Sequence, residues 1–284
     1  MRYQFLRFPE GKVKAVTLSY DDGCTADIRF ADTISKHGLK CTFNLNCAKA
    51  RSISLDKTIV EEHMSAHGHE IAVHGEFHRA PGALRPIEGI REVLNCRLEL
   101  EQTYGKIIRG MAYPDSGITR FHNGATYASV KQYLTDLGIV YARTLGEDND
   151  RFLLPEDWHA WMPTVHHINP QAVEYAERFA AIEITDTVYG ARRYPRLFYL
   201  WGHSYEFDRD NNWELLDTLC ETLAGKEDTW YATNIEIYDY VTAYQSLVYS
   251  ADNTIVYNPT LHTVWFDRDG TLYSVASGET LVID

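Results

Sequence analysis

Basic residues are scarce in this sequence of 284 residues. Asp and Glu number 40 against 27 Lys and Arg, so the formal net charge is −13 and the pI lies near 5.4. No stripe of basic residues with interleaved aromatic side chains occurs. Nucleic acids and anionic membranes are negatively charged and bind positively charged protein surfaces. The negative charge of this chain therefore argues against both kinds of partner.

Cysteine is also rare, and no two cysteines form a CxxC pair. The five cysteines are odd in number and scattered along the chain, at Cys24, Cys41, Cys47, Cys96 and Cys220. This pattern favours reduced thiols over a disulfide framework. The first residues also lack the apolar segment of a signal peptide. We therefore expect a cytoplasmic protein, although a chain whose leader had been removed would look the same.

Long apolar runs are missing as well. No window approaches the roughly 18 apolar residues of a membrane span, so no membrane association is expected. Hydrophobic residues nevertheless make up 45% of the chain and charged residues 24%. This composition predicts a large packed core rather than disorder. It leaves the oligomeric state open.

Strand-like and helix-like segments alternate over most of the chain. Strands are predicted over residues 12–20, 39–46, 69–74, 106–114, 139–145, 196–204 and 229–234, with helices between them. Such alternation predicts a parallel sheet of the α/β class, and this number of units indicates a barrel, closed or distorted. Beyond residue 247 the pattern changes to short strands joined by Asn, Asp and Gly. We therefore expect a barrel over residues 1–247 and a small β appendage over 248–284, packed on the barrel.

Polar side chains stand where the predicted strands end. Asp21 and Asp22 follow the first strand, His74 and His78 follow the third, and His203 follows a later one. In α/β barrels, reactive residues collect at this end of the strands. Each feature alone has an ordinary structural explanation, since Asp-Asp-Gly is a common turn. Their coincidence is more informative, because two imidazoles and one carboxylate form a typical catalytic zinc or iron site.

Four motifs carry a resemblance to a known family. In chain order they are VTLSYDDG, HEIAVHGEFH, RGMAYPDSG and LFYLWGHS. Together they resemble the polysaccharide deacetylases, which are carbohydrate esterase family 4 or the NodB-homology group. The resemblance covers about residues 12–240. It implies a distorted (β/α) barrel of about seven strands and an enzyme that removes N- or O-acetyl groups from a poly- or oligosaccharide.

The resemblance also implies roles for the residues at the strand ends. Asp22, His74 and His78 match the family's ligands for one divalent metal ion. Zinc is favoured, although the same ligand types accept cobalt, nickel, iron or manganese. Asp21 matches the catalytic base, and His203 matches the general acid.

Further residues are assigned to the site by the same resemblance. A backbone N–H near Asp115 is expected to bind the oxyanion, and Asp157 to tune the acid histidine. Trp161 is expected to line the cleft, with Trp158 as a competitor, and Tyr113 to contact the substrate. Glu206 is assigned to substrate binding on its position alone, three residues after His203, although it could instead orient His203 or be an ordinary loop charge.

The third motif departs from the family pattern. The family places an arginine two residues before the proline, where it contacts the base, and this chain has Ala112 there. Arg109 is the nearest arginine, and either contact with Asp21 or a surface role is open to it. His166 and His167 form an unexpected pair, for which hydrogen bonding of loop histidines to backbone is the favoured explanation.

Two other functions compete with sugar deacetylation. One is an amide hydrolase of the same fold that acts on a cyclic ureide or imide, which the changed third motif leaves open. The other is a catalytically silent carbohydrate-binding protein, which would be expected to have lost Asp21 or His203. Both residues are present.

Overall fold

The computed structural model describes residues 3–47, 55–146, 149–184 and 193–283. The strands are β1 Gln4–Arg7, β2 Lys14–Asp22, β3 Cys41–Leu45, β4 Glu70–Val73, β5 Gly110–Ala112, β6 Tyr141–Arg143, β7 Val165–His166, β8 Arg196–Gly202, β9 Thr229–Tyr231, β10 Val248–Tyr249, β11 Ile255–Tyr257, β12 Val264–Arg268, β13 Thr271–Val275 and β14 Thr280–Val282. The helices are α1 Ala26–Lys36, α2 Lys57–His63, α3 Pro86–Tyr104, α4 Tyr127–Asp136, α5 Ala172–Ala180, α6 Tyr205–Arg209, α7 Trp213–Leu223 and α8 Asn234–Gln245.

A parallel sheet forms the centre of the fold. Its strands lie in the order β6-β5-β4-β3-β2-β8-β7, and β9 pairs with the first residues of β2. The central strand β2 is almost entirely buried on both faces, as expected for a parallel sheet covered by helices. The predicted distorted (β/α) barrel of about seven strands is confirmed.

The segment from Trp161 to His166 joins the two edges of this sheet. The Trp161 N–H donates to the Ala142 carbonyl at 3.0 Å, and the Thr144 N–H donates back to the Trp161 carbonyl at 2.9 Å. A few residues later β7 pairs with β8. This segment therefore closes the barrel between β6 and β8. Its strand was not predicted, because it lies in a stretch rich in Pro, Trp and His that has the composition of a loop.

Local signals set the helix ends close to where the sequence predicts them. A reciprocal capping box between Thr126 and Ser129 begins α4, and a second between Thr233 and Glu236 begins α8. Gly105 ends α3 in a left-handed conformation with φ of 66°. Such caps satisfy backbone groups that a helix end leaves unpaired.

Two small antiparallel sheets make up the β appendage. One has the order β10-β11-β14, and the other has the order β1-β12-β13. Strand β1 therefore lies in the appendage, although it comes from the start of the chain and was assigned to the barrel. A separate apolar cluster joins Ala243 and Leu247, at the end of α8, to Val256 and Phe266 of the appendage. The appendage thus packs on the barrel through α8.

Across the described residues, no helix is both long enough and apolar enough to cross a membrane. The five cysteines are free thiols, and all but Cys24 are buried.

Candidate active site

The carboxyl ends of β2, β4 and β8 bring the predicted polar residues together. Asp21 and Asp22 are the last residues of β2, His74 directly follows β4, and His203 directly follows β8. The backbone is left-handed at Asp22, with φ of 80°, and at His78, with φ of 57°. Non-glycine residues rarely adopt this conformation, and it is often found at functional sites.

Asp22, His74 and His78 form a compact group of potential metal ligands. Oδ1 of Asp22 lies 3.7 Å from Nε2 of His74 and 3.5 Å from Nε2 of His78. An ion with bond lengths of about 2.0–2.2 Å separates its tetrahedral ligand atoms by roughly 3.3–3.6 Å. The two measured distances lie close to that range, and all three ligand atoms lie within 4.8 Å of one another, so the group fits a divalent cation.

The surroundings of His74 prepare it to be a ligand. Its Nδ1 donates to the Ala112 carbonyl at 3.1 Å, which leaves the Nε2 lone pair directed at Asp22. A backbone carbonyl on the second ring nitrogen is a common partner of metal-binding histidines. Burial lowers the pKa of His74 despite the neighbouring Asp21 and Asp22 carboxylates. The imidazole is thus neutral near pH 7, as ligation requires.

Asp21 is enclosed and held from two sides. Its Oδ1 accepts from Nδ2 of Asn44 at 2.8 Å, and its Oδ2 accepts from Nη2 of Arg143. The same Oδ2 lies 3.8 Å from Nε2 of His74. Burial raises the pKa of Asp21, but the Arg143 guanidinium and the two histidines at the site outweigh it, and the net shift is downward. The carboxylate is therefore ionised and oriented at the edge of the metal-ligand group.

Arg143 was not identified from the sequence. It ends β6, is fully buried, and its guanidinium lies 4.2 Å from the ring centroid of Trp201. The available signal was an arginine at the end of the predicted strand 139–145. Arg109, by contrast, pairs with Asp239 at 3.0 Å and is partly exposed. Of the two roles left open for Arg109, the structure shows the surface one.

His203 stands on the other side of the metal-ligand group. Its Nε2 lies 4.0 Å from Oδ2 of Asp22, and its Nδ1 lies 3.4 Å from Oε2 of Glu206. Burial alone would lower the pKa of His203, but Glu206 and the Asp21 carboxylate raise it above its ordinary value. This side chain can therefore carry a proton at the mouth of the site.

Asp115 lies on the loop that follows β5. Its backbone is left-handed, with φ of 51°, and its side chain is exposed. A Cβ atom added to Gly75 would lie 3.4 Å from Pro114, so this loop passes beside the residue that follows His74. The predicted use of a backbone N–H near Asp115 as an oxyanion donor stays a prediction.

The predicted substrate contacts of Trp161 and Tyr113 do not agree with the structure. Both side chains are fully buried. Trp161 packs edge-on against Tyr141 and Tyr199, and the Tyr113 hydroxyl donates to the His159 carbonyl. Trp161 lies in the segment that closes the barrel, so its indole fills the interior there. Neither side chain is exposed to solvent in this structure.

The structure also separates Asp157 from His203. One carboxylate oxygen of Asp157 accepts from the Tyr127 hydroxyl and from Nζ of Lys131, both on α4. The other accepts from the backbone N–H of His159 and caps a short 3-10 helix. Asp157 thus caps this turn and contacts α4, and its predicted tuning of His203 stays a prediction.

Glu206 is enclosed by imidazoles rather than open to a substrate. It lies on α6 and is buried, and its Oε2 is 3.4 Å from Nε2 of His166 and 3.6 Å from Nε2 of His167. Burial raises the pKa of Glu206, but the effects of His203, His166 and His167 are larger and lower it below its ordinary value. The carboxylate is therefore ionised. Its predicted contact with substrate is not what the structure shows.

A family model described as Polysaccharide deacetylase matches residues 9–141 of this chain. The match includes the β2 motif, the His74–His78 motif and the Pro114 loop. The resemblance to the polysaccharide deacetylases is confirmed. A comparison of the sequence with curated proteins found no match.

Solved structures of carbohydrate esterases share the fold. A family 4 acetyl xylan esterase from Clostridium thermocellum, solved in complex with a cobalt ion, is 16% identical, with a TM-score of 0.50 over 79% of this chain and 90% of that one. A chitin deacetylase from the fungus Colletotrichum lindemuthianum is 17% identical, with a TM-score of 0.50 over 82% of this chain and 89% of that one. The Xyl-CE4 domain of a xylanase from the hindgut metagenome of Trinervitermes trinervoides is 15% identical, with a TM-score of 0.51 over 82% and 92%.

Proposed function

We propose that this protein is a metal-dependent hydrolase that removes N- or O-acetyl groups from a poly- or oligosaccharide. One observation carries the proposal: Asp22, His74 and His78 face one another at ligand spacing, and the ionised Asp21 lies beside them. The family match over residues 9–141 supports this assignment, and the fold shared with acetyl xylan esterase and chitin deacetylase agrees with it.

In this proposal Asp22, His74 and His78 hold one divalent cation. When bound, the ion polarises the acetyl carbonyl and makes water more acidic. Zinc is our first choice, and cobalt, nickel, iron or manganese suit the same ligands. The cobalt ion in the acetyl xylan esterase structure is consistent with this range.

Different residues around the cation accept and donate the protons in this proposal. Asp21 accepts a proton from the attacking water, because Arg143 and Asn44 hold its carboxylate ionised and oriented. His203 donates a proton to the departing amine or alcohol oxygen. A backbone N–H near Asp115 stabilises the oxyanion. Water and the acetylated sugar thus give acetate and a free amine or hydroxyl group.

The proposal is tested by removing the metal and one of its ligands. Acetate release is measured on acetylated chitooligosaccharides, acetylated xylan and a cyclic ureide, before and after chelation and after adding back each divalent ion. The His74→Ala variant is compared with His67→Ala, whose exposed imidazole lies at the opposite end of β4.

We expect chelation and His74→Ala each to lower kcat at least about 100-fold, since the metal supplies several kcal/mol of stabilisation to the transition state. His67→Ala should retain wild-type activity. A chelated protein that keeps full activity would refute metal dependence. Turnover of only the ureide would instead support the cyclic amide hydrolase, and sugar binding without turnover would support the silent binding protein.

A further inference from the structure

A cluster of three buried residues lies behind His203, and the proposed proton transfers do not use it. His166 of β7, the adjacent His167 and Glu206 of α6 are each no more than 7% exposed. Their potential ligand atoms lie within 4.8 Å of one another. We call this group the His-His-Glu cluster. The cluster contacts His203 through Glu206. Oε2 of Glu206 lies within 3.6 Å of a ring nitrogen of each of His166, His167 and His203.

A second metal ion is the first explanation to consider for such residues, and hydrogen bonding argues against it. The backbone N–H of Ile168 donates to Nδ1 of His166 at 3.2 Å. This bond occupies the Nδ1 lone pair, so the neutral ring carries its proton on Nε2. Nε2 is the atom that faces Glu206. His166 therefore presents a donor to the carboxylate, whereas a metal ligand would have to present a lone pair.

His203 needs an acceptor on the side that faces the cluster. Its Nδ1 is buried and has no hydrogen-bond partner. Burying a ring N–H without an acceptor costs about 1–3 kcal/mol, so such groups are usually paired. The carboxylate that the described residues bring within 4 Å of this atom is that of Glu206, at 3.4 Å. The same Oε2 already accepts the backbone N–H of His203 at 3.2 Å.

We propose that Glu206, positioned by His166 and His167, fixes the orientation and tautomer of His203, in the role that the family resemblance assigns to Asp157. The proton on Nδ1 of His203 faces Glu206, and Nε2 is thereby directed toward Asp22 and the reacting group. Glu206 is thus a positioning residue. This inference rests on the proposed function, because the protonated ring keeps its Nδ1 proton toward Glu206 and gives its Nε2 proton to the nitrogen or oxygen of the C–N or C–O bond that breaks, which leaves the neutral Nδ1–H tautomer.

The test uses two substrates that differ in their need for an acid. An amine or sugar hydroxyl must be protonated as it departs, whereas 4-nitrophenolate departs without a proton. Glu206→Gln keeps the shape of the side chain and removes its charge. We expect kcat on an acetylated chitooligosaccharide to fall at least about 10-fold, which is part of the 10²- to 10⁴-fold that a general acid contributes, with KM nearly unchanged. Hydrolysis of 4-nitrophenyl acetate should stay within about 2-fold of wild type.

Two variants serve as controls. Glu214→Gln makes the same change at an exposed position of α7 and should match the wild type on both substrates. Asp157→Asn removes the carboxylate that the family resemblance assigns to the same role. If Asp157→Asn rather than Glu206→Gln selectively lowers turnover of the sugar, the proposal is overturned. Equal loss on both substrates in Glu206→Gln would indicate a merely structural role and would also overturn it.

Two further measurements separate this inference from the proposed function. The ¹⁵N signals of the His203 ring, assigned with His203→Gln, should show a protonated Nδ1 in the wild type and a mixture of tautomers in Glu206→Gln. This result does not depend on turnover, so it holds or fails even if the wild type releases no acetate. Metal analysis should find one ion per chain in both proteins. A second ion that is lost in Glu206→Gln would replace the positioning role with a metal site.

Discussion

At the scale of single residues, Arg143 compensates for the departure in the third motif. Ala112 leaves no guanidinium at the end of β5, and Arg143 at the end of the neighbouring β6 supplies one to Asp21. The guanidinium is buried against Trp201, where it is shielded from solvent and from salt. An ion pair in these surroundings orients the carboxylate far more strictly than an exposed pair would.

Replacing Arg143 by Lys should lower both activity and stability. An ammonium group cannot reproduce the planar contact with Asp21 and the stacking on Trp201. We expect kcat for acetate release to fall at least about 10-fold, and the free energy of unfolding to fall by up to roughly 3–5 kcal/mol, the range for a broken buried pair. Steady-state kinetics and urea unfolding measure the two effects.

Arg109→Lys is the matched control, because the Arg109–Asp239 pair is partly exposed. Such pairs contribute about 0–1 kcal/mol, so this variant should behave as the wild type does. Equal losses in the two variants would show that Arg143 has no special relation to Asp21.

A buried carboxylate on α1 should make stability depend on pH. Burial raises the pKa of Asp27 to about 7, against hydrogen bonds from Ser204 and the Cys24 backbone that lower it. The folded state therefore binds a proton that the unfolded chain has lost between pH 4 and 7. Stability falls as the pH rises through this window and levels off above it.

Asp27→Asn should abolish this component. The free energy of unfolding of the wild type relative to the variant is expected to decrease by roughly 4 kcal/mol from pH 4 to pH 7, at about 1.4 kcal/mol per pKa unit. Urea unfolding at several pH values measures the difference. A constant difference across the window would show that Asp27 does not titrate there.

At this scale the sequence predicted which residues meet at the candidate metal site, and it predicted the residues around them poorly. Asp21, Asp22, His74 and His78 could be identified because strand ends of a parallel barrel meet at one rim. Arg143 could not, since its guanidinium reaches Asp21 from β6, which β5, β4 and β3 separate from β2 in the sheet. The direction of the Trp161 side chain could not be predicted either, because a residue in an irregular stretch has no periodicity that indicates which way it points.

At the scale of elements, close packing between β8 and β7 holds the His-His-Glu cluster. A Cβ atom added to Gly202, the last residue of β8, would lie 2.0 Å from Nδ1 of His167. Only glycine lets the strand pass this close to the ring. The end of β8 therefore sets the position of His167 as well as that of His203.

Gly202→Ala should displace His167 and disturb Glu206. We expect kcat on the acetylated sugar to fall, together with a loss of about 1–3 kcal/mol in the free energy of unfolding from overpacking. Gly146→Ala is the comparison, because the added methyl group would meet only the flexible side chain of Met162 at 3.0 Å or more. Kinetics and unfolding that are normal in both variants would contradict this packing argument.

Element order was the most predictable level of the structure. Alternating apolar strands and amphipathic helices indicated seven of the barrel's strands and the helices between them, with ends that differ by a few residues. The two-residue strand β7 and the pairing of β1 were missed. Both depend on partners that are remote in sequence, and short strands of this kind carry too few residues to show a pattern.

At the scale of the whole molecule, the appendage and the barrel share apolar surface. Leu247 is 8% exposed because strands of the appendage cover it, and β1 finds its pairing partner in β12. Residues on the two sides of position 247 therefore share one apolar cluster.

Cutting the chain after residue 247 should destabilise the barrel. Exposing a leucine removes about 1.5–3 kcal/mol of burial, and each kcal/mol lowers the Tm of a domain of this size by roughly 2–4 °C. We expect the Tm of the fragment to lie at least about 5 °C below that of the full chain, as followed by circular dichroism. If the fragment had the same Tm as the full chain, the appendage would be an independent module.

The pairing of β1 with β12 also orders events during synthesis. Leu6 lies opposite Phe266, so these residues leave the ribosome about 260 positions apart. At about 5–20 residues per second, the first strand waits on the order of ten seconds to a minute for its partner. During that time the barrel strands can pair with one another while β1 keeps an open edge. Completion of the β1-β12-β13 sheet is therefore a late, long-range step, and contacts of this kind form slowly.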